Sequence, residues 1–152
     1  MEAGSDIIET NTFGATEIAQ DDYAMSDLAY EMNVASAKLA RQAVDKFSTK
    51  ENPRFVAGAV GPTPKTASIS PDVNDPAARN ITFEELKNSY FNQVKALVEG
   101  GVDILLVETI FDTLNCKAAL FAIETYFEEN KMRLPIMLSG TVTDASGRIL
   151  SG

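Results

Sequence analysis

The sequence predicts an α/β protein with a parallel sheet, and three observations carry that prediction. Residues 55–60 and 102–107 are almost continuously apolar, as expected of strands covered on both faces. Amphipathic stretches long enough for right-handed crossovers separate the candidate strands. Glycine, proline and asparagine mark the junctions.

In chain order, the first strand is Asp6-Ile7-Ile8-Glu9-Thr10, a short β-branched run stopped by Asn11-Thr12-Phe13-Gly14, where asparagine and glycine favour a turn. A helix is predicted over about residues 24–47. Leu28, Met32, Ala35, Leu39, Ala43 and Phe47 recur at three-to-four spacing as its core-facing stripe, with Glu31, Lys38, Arg41 and Asp45 on the other face. The second strand, residues 55–60, ends at Gly61-Pro62-Thr63. Residues 64–80 combine prolines with Ser, Asn and Asp, and a structureless loop of that length inside a domain is usually functional or disordered. Thr82-Phe83-Glu84-Glu85 has the form of a capping box. Leu86, Tyr90, Val94 and Leu97 then give a helix its apolar face to about Val98, and Gly100-Gly101 stops it. The third strand, residues 102–107, runs into Glu108-Thr109. A helix over residues 113–130 follows, Pro135 introduces a fourth strand at residues 136–140, and residues 141–152 form a polar loop.

Composition narrows the function classes. The 152 residues, 45% hydrophobic and 23% charged, are those of one folded domain. Lys and Arg number 13 against 22 Asp and Glu, a net charge of -9. Such a field repels phosphate backbones and anionic lipid, so neither nucleic acid nor membrane is an expected partner. No run approaches the roughly 18 apolar residues of a membrane span, and the N-terminus has no secretion-signal pattern. The expectation is a cytoplasmic protein. A single cysteine, Cys116, forms no internal disulfide, and a chain without histidine lacks the usual acid–base switch near neutral pH. A lone thiol without imidazole also makes no conventional zinc site.

A weak internal repeat bears on where a site would lie. Glu2-Ala3-Gly4-Ser5-Asp6-Ile7 leading to Glu9-Thr10 echoes Glu99-Gly100-Gly101-Val102-Asp103-Ile104 leading to Glu108-Thr109. Each copy reads as helix end, glycine turn and strand, then a carboxylate and a hydroxyl at the strand's C-terminal end. Doubly wound sheets and (β/α)8 barrels both place ligands there. No G-x-G-x-x-G follows the first strand and no phosphate-binding G-x-x-x-x-G-K-[ST] occurs, which disfavours nucleotide-binding versions. A whole barrel takes about 250 residues and eight strands.

Five stretches resemble one family. They are Glu9-Thr10-Asn11-Thr12-Phe13-Gly14-Ala15, Gly61-Pro62-Thr63, the loop Thr66-Ala67-Ser68-Ile69-Ser70-Pro71-Asp72-Val73-Asn74-Asp75-Pro76, Glu108-Thr109-Ile110-Phe111-Asp112-Thr113-Leu114-Asn115, and Ser139-Gly140-Thr141-Val142-Thr143-Asp144-Ala145-Ser146-Gly147-Arg148. Together they are similar to the homocysteine S-methyltransferase module of the cobalamin-dependent methionine synthases, over essentially the whole chain. The resemblance implies a partial (β/α)8 TIM barrel over residues 1–152, with the second to fifth of eight parallel strands present and the first and the sixth to eighth missing. In that family, zinc held by three cysteines of the later strands keeps homocysteine as a thiolate, which attacks the methyl group of methylcobalamin carried on a separate module. Those cysteines have no counterpart here. The expectation is that zinc and cobalamin belong to the complete enzyme, that neither binds this chain alone, and that the isolated chain is inactive.

The resemblance assigns this chain part of the amino-acid grip. Glu108 would face the substrate ammonium, with Thr10, Asn11 and Ser139 lining the same mouth as neutral donors and acceptors. On its residues alone, Glu108 reads equally as a helix cap or an ion-pair partner, and Asn11 as a turn residue. Cys116 reads as a small buried filler and not as a metal ligand. The proline- and aspartate-bearing loop at residues 68–76 reads either as surface padding or as a stiff docking surface for the folate or cobalamin modules. Two alternatives stand beside this. One is a freestanding half-barrel that self-associates through its open sheet edges. The other is a cobalamin-independent homocysteine methyltransferase, which shares the barrel and the thiol chemistry.

Overall fold

A computed structural model describes residues 1–151. Four strands, β1 (Ile7–Glu9), β2 (Phe55–Val60), β3 (Ile104–Ile110) and β4 (Ile136–Gly140), form one parallel sheet in the order β1-β2-β3-β4. Four helices accompany them: α1 (Glu17–Asp21), α2 (Ala29–Phe47), α3 (Phe83–Gly100) and α4 (Thr113–Asn130). A doubly wound sheet reverses its strand order at a switch point and carries helices on both faces. Here spatial order equals chain order, and α2, α3 and α4 pack side by side over one face. That is the arrangement of consecutive (β/α) units in a barrel.

The core lies between helices and sheet. Val56, Val60, Leu105 and Val107 from the strands meet Val44, Leu86, Tyr90, Val94, Leu97, Ala119 and Ile123 from the helices. The other sheet face is open, and Ile7, Phe55 and Met137 are each about two-fifths exposed there. The expectation of burial along residues 55–60 and 102–107 holds for β2 beyond Phe55 and for Leu105 to Val107 of β3, whereas β1 and β4 are largely exposed. Those two are edge strands, and Leu138 of β4 has no helix above it and is 54% exposed.

Local chemistry explains most boundaries. α3 opens with the predicted capping box: Thr82 Oγ1 accepts from Glu85 N at 3.2 Å and Glu85 Oε2 accepts from Thr82 N at 2.8 Å. It closes at Gly101, whose φ of 96° suits glycine. The predicted span of α4 matches its observed ends. Arg41 Nη1 and Val56 N both donate to Asp103 Oδ2 at 2.7 Å, tying α2 and β2 to the approach to β3.

The first predicted helix needs correction. Residues 24–47 are not one helix. A short α1, capped by Thr16, comes first, Ala24 takes a left-handed φ of 54°, a 3-10 turn covers Ser26–Leu28, and α2 begins at Ala29. Its buried face also differs. Ala29, Asn33, Ala37, Ala40 and Val44 are buried, whereas Leu28 and Leu39 of the predicted stripe are exposed. The cause is close helix packing: a Cβ on Gly100 of α3 would lie 2.4 Å from Ala37 Cβ, so only small side chains fit between the two helices. Among the described residues, no helix is long and apolar enough to cross a membrane.

Candidate functional site

The C-terminal ends of the four strands converge on one edge of the sheet, where parallel α/β folds place their ligands. At the end of β1, side chains continue the ladder that the backbone has left. Thr10 Oγ1 accepts from Ala59 N at 2.9 Å, and Thr12 Oγ1 donates to Ala59 O at 2.7 Å. With the Thr12 proton so placed, the 2.6 Å contact between the two hydroxyls is donated by Thr10. Thr10 is buried, and its hydroxyl is tied to the sheet and does not line the mouth as a free donor, a correction to the sequence expectation. Asn11, the next residue, is exposed. The turn it sits on is held from beneath: Gln93 Nε2 donates to Thr12 O at 2.9 Å and to Asn33 Oδ1 at 3.2 Å, while Asn33 Nδ2 donates to Ala15 O at 2.7 Å.

The end of β3 carries Glu108. Val107 pairs with Leu138 and Ile110 with Gly140, so Glu108 and Thr109 together stand across from the single residue Ser139 of β4. Two of the predicted site residues, Glu108 and Ser139, are thereby brought opposite one another, and Ser139 is exposed. Burial and then the neighbouring charge of Glu9 push the Glu108 carboxyl above its ordinary range. Glu9, at the end of β1, belongs to this neighbourhood, and the internal repeat that pairs Glu9-Thr10 with Glu108-Thr109 was its signal in the sequence.

A second device at this edge was not recognised from sequence. Asp112, 2% exposed, caps α4: its Oδ1 accepts from Leu114 N at 2.8 Å and Asn115 N at 3.2 Å, and its Oδ2 accepts from Ser68 N at 3.0 Å. Asn115 Oδ1 accepts from Ala67 N at 2.9 Å, and its Nδ2 donates to Thr63 Oγ1 and Lys65 O. The pair clamps the long loop after β2 against the start of α4. Burial pushes the Asp112 carboxyl up, but the hydrogen bonds from Ser68, Asn115 and Leu114 outweigh it and hold the group below its ordinary range. The readable signal was an aspartate just ahead of a predicted helix.

Beyond the clamp the loop braces itself. Asp72 Oδ1 accepts from Asn74 N at 2.8 Å, Asp75 Oδ1 from Ala77 N at 3.0 Å, and Ser70 Oγ bridges Asp72 O and Asp75 O. Val73, at 96% exposure, stands at its tip. Arg79 Nε closes the loop onto Ala67 O at 2.9 Å.

The crevice between Gly61, Tyr90, Glu108, Asp112 and Cys116 has about 10 Å³ of internal space, room for roughly one water. An amino-acid ligand would therefore sit over the strand ends and not inside the crevice. The larger hollows lie elsewhere: about 400 Å³ around Ile7, Phe55, Ile104 and Leu134, towards the N-terminal ends of the strands, and about 460 Å³ against Phe83, Leu120 and Phe121 on the helices. Among the described residues, no three His, Cys, Asp or Glu side chains gather as a metal-binding set. Burial pushes the Cys116 thiol up, the wrong direction for a thiolate ligand. Among the described residues, the donors present do not fit zinc.

Comparison with known proteins gives two results. The family model described as homocysteine S-methyltransferase matches residues 1–152. Among solved structures, the homocysteine methyltransferase MmuM from Escherichia coli is similar in its metallated form, with a TM-score of 0.75, 21% identity, and coverage of 99% of this chain and 51% of that one. Its oxidised form gives a TM-score of 0.76 at 21% identity, covering 99% of this chain and 50% of that one. The chain thus spans about half the length of that protein, and the likeness is one of fold, a partial (β/α)8 barrel.

Proposed function

The chain belongs to the homocysteine S-methyltransferase family, and from that premise we propose that it grips the amino-acid end of homocysteine at the C-terminal edge of its sheet, within a barrel that methylates the thiol. The observation that carries this reading is the place of Glu108, partly buried at the end of β3 across from Ser139, with the charge of Glu9 one strand further along the same edge. Burial and a like charge both work against its ionised form, so it gains from a cation. The α-ammonium of an amino acid supplies one, in a charge-assisted hydrogen bond. Ser139 and Asn11, both exposed at neighbouring strand ends, are suited to the substrate carboxylate. Thr10 serves this grip indirectly by fixing the strand end that bears Asn11.

The thiol end is a different matter. Among the described residues no donor set fits zinc, so the role proposed for this chain's own side chains is to bind and orient the amino acid and not to activate the thiol. For the donor, the reading is methylcobalamin, with methionine as product. It is supported by the sequence of the loop at residues 68–76 and by the side-chain bracing that stiffens it as a docking surface for cobalamin and folate modules. A cobalamin-independent enzyme would share the barrel and lack that use of the loop.

The test is calorimetric titration of homocysteine into a barrel completed with the remaining strands, unaltered and as Glu108→Gln. Loss of a charged hydrogen bond predicts at least about tenfold weaker binding. Equal affinity would end the substrate reading of Glu108. Methyl transfer from methylcobalamin, compared with S-methylmethionine in the same barrel, decides the donor.

A further inference from the structure

Phe13 stands at the mouth with no part in the polar grip. Its ring is left 45% exposed, yet its backbone is firmly placed, because the Thr12 hydroxyl donates to Ala59 O and Thr12 O accepts from Gln93 Nε2. Beyond β1 the alternation of the strand continues: Thr10 and Thr12 are buried, Asn11 and Phe13 exposed. Ile8 packs against the core, so Asn11 and Phe13 lie on the sheet face turned away from the helices.

Gly61 fixes where the ring rests. On β2, Val56 and Val60 belong to the core under the helices, and alternation turns Ala57, Ala59 and Gly61 to the open face. There a Cβ on Gly61 would overlap Phe13 O and lie 2.9 Å from Cδ2 and 3.0 Å from Cγ of the ring. Phe13 therefore occupies the space that a side chain at position 61 would fill. On β3, Leu105 and Val107 belong to the core, so Glu108 also faces the open side. Val60 pairs with Val107, and Gly61 and Glu108 are the next residue on each strand and line one crevice. The seat of the ring and the base of the carboxylate are thus neighbours on one face, about one strand spacing or roughly 4.8 Å apart.

An amino acid held by its ammonium at Glu108 brings its side chain within reach of that ring. Homocysteine carries two methylenes between its α-carbon and its sulfur, and Glu108, Asn11 and Ser139 offer them no apolar contact. We propose that Phe13 is a specificity-determining residue, whose ring, backed by Gly61, is the apolar wall on which the side-chain methylenes of the substrate lie. The role deepens the amino-acid reading of Glu108 and rests on it. It favours a side chain that begins with methylenes and ends in a thiol over one that ends in a carboxylate, which would lose its water against the ring.

The experiment is calorimetric titration of homocysteine into the completed barrel, unaltered and as Phe13→Leu, Phe13→Ala, Phe13→Asn and Glu108→Gln, with a melting curve for each. The exposed ring contributes little to the core, so the Phe13 variants should melt within about 2 °C of the parent. Taking the wall away from two methylenes predicts about tenfold weaker binding in Phe13→Ala and at least that in Phe13→Asn, whereas Phe13→Leu keeps an apolar surface and should stay within about threefold. Phe13→Ala binding as tightly as the parent overturns the proposal. So does a loss in Phe13→Leu as large as in Phe13→Ala, since the ring would then be acting through its π face on the ammonium. If Phe13→Ala proves unfolded by circular dichroism, Phe13→Leu against Phe13→Asn, apolar against polar at similar size, decides alone. Should Glu108→Gln bind as the parent does while Phe13→Ala does not, the ammonium reading falls and the apolar wall stands.

Discussion

Replacing Asp112 by alanine should cost this chain about 2–3 kcal/mol, and the figure can be assembled from its contacts. One carboxylate oxygen caps α4 through Leu114 N and Asn115 N, at 2.8 and 3.2 Å. Loss of such a cap is worth about 1 kcal/mol. The other oxygen receives Ser68 N at 3.0 Å in a half-buried position, and an N–H stranded there costs at least about 1 kcal/mol more. In a domain of this size each kcal/mol lowers the melting point by about 2–4 °C. Urea unfolding with a free fit of slope and midpoint is the assay. Asp112→Asn keeps one acceptor oxygen and should recover roughly half the loss. The acid limb supplies the sign. A carboxyl whose folded-state pKa is depressed contributes stability that is present above its unfolded value, about 3.9, and is lost as the pH falls through the lower folded value. The gap between parent and Asp112→Asn should therefore close on acidification. A loss of under about 0.5 kcal/mol for Asp112→Ala, or a gap that persists unchanged into acid, would refute the clamp as an energetic element.

Glu108→Gln should act in the opposite sense. Its carboxyl is raised in the folded chain, so the folded state holds more protons between the two values and stability falls as the pH rises through that window; the glutamine variant should melt higher at pH 7 and converge with the parent in acid. Gly100→Ala should lower stability by about 1–3 kcal/mol in urea, because the new Cβ would sit 2.4 Å from Ala37 Cβ and 3.0 Å from Val34 O. That outcome runs against the gain of about 1 kcal/mol that alanine normally brings to a helix, so its sign alone tests the close packing of α2 on α3. Replacing Asp72 and Asp75 together by alanine should speed limited proteolysis within residues 68–77 while moving the melting point by less than about 2 °C, since both carboxylates serve only their own turns.

Elements with local chemical punctuation were legible in the sequence. The Thr82–Glu85 capping box, Gly101 and Pro135 bound α3 and β4 closely, and the strand-to-helix alternation led directly to the parallel sheet. The buried face of α2 was not legible, because Leu28 and Leu39 carry more apolar surface than Ala29, Ala37 and Ala40. Only the approach of Gly100, far along the chain, makes the small residues the ones that are covered. At the site, the family pattern put Glu108 and Ser139 at one mouth, but the irregularity between Val107 and Ile110 was not legible, since its left-handed residue is a threonine, a type that does not advertise such a turn. Thr10 looked like a ligand-facing hydroxyl and proved to be a strand extension, which depends on the position of Ala59 on the neighbouring strand. Asp112 was readable as a cap; its partner Ser68 was not.

The strand order β1-β2-β3-β4 has a consequence for how such a chain comes into being. Each strand pairs with the one made just before it, so during synthesis every newly emerged strand and its helix can dock on a finished neighbour without threading or waiting for a distant segment. The sheet can therefore lengthen at one side while the ribosome is still at work. Its growing side is an uncovered parallel edge at every stage, so the risk of misassociation in the cell is set by how quickly the next unit arrives and not by how well the last one has packed.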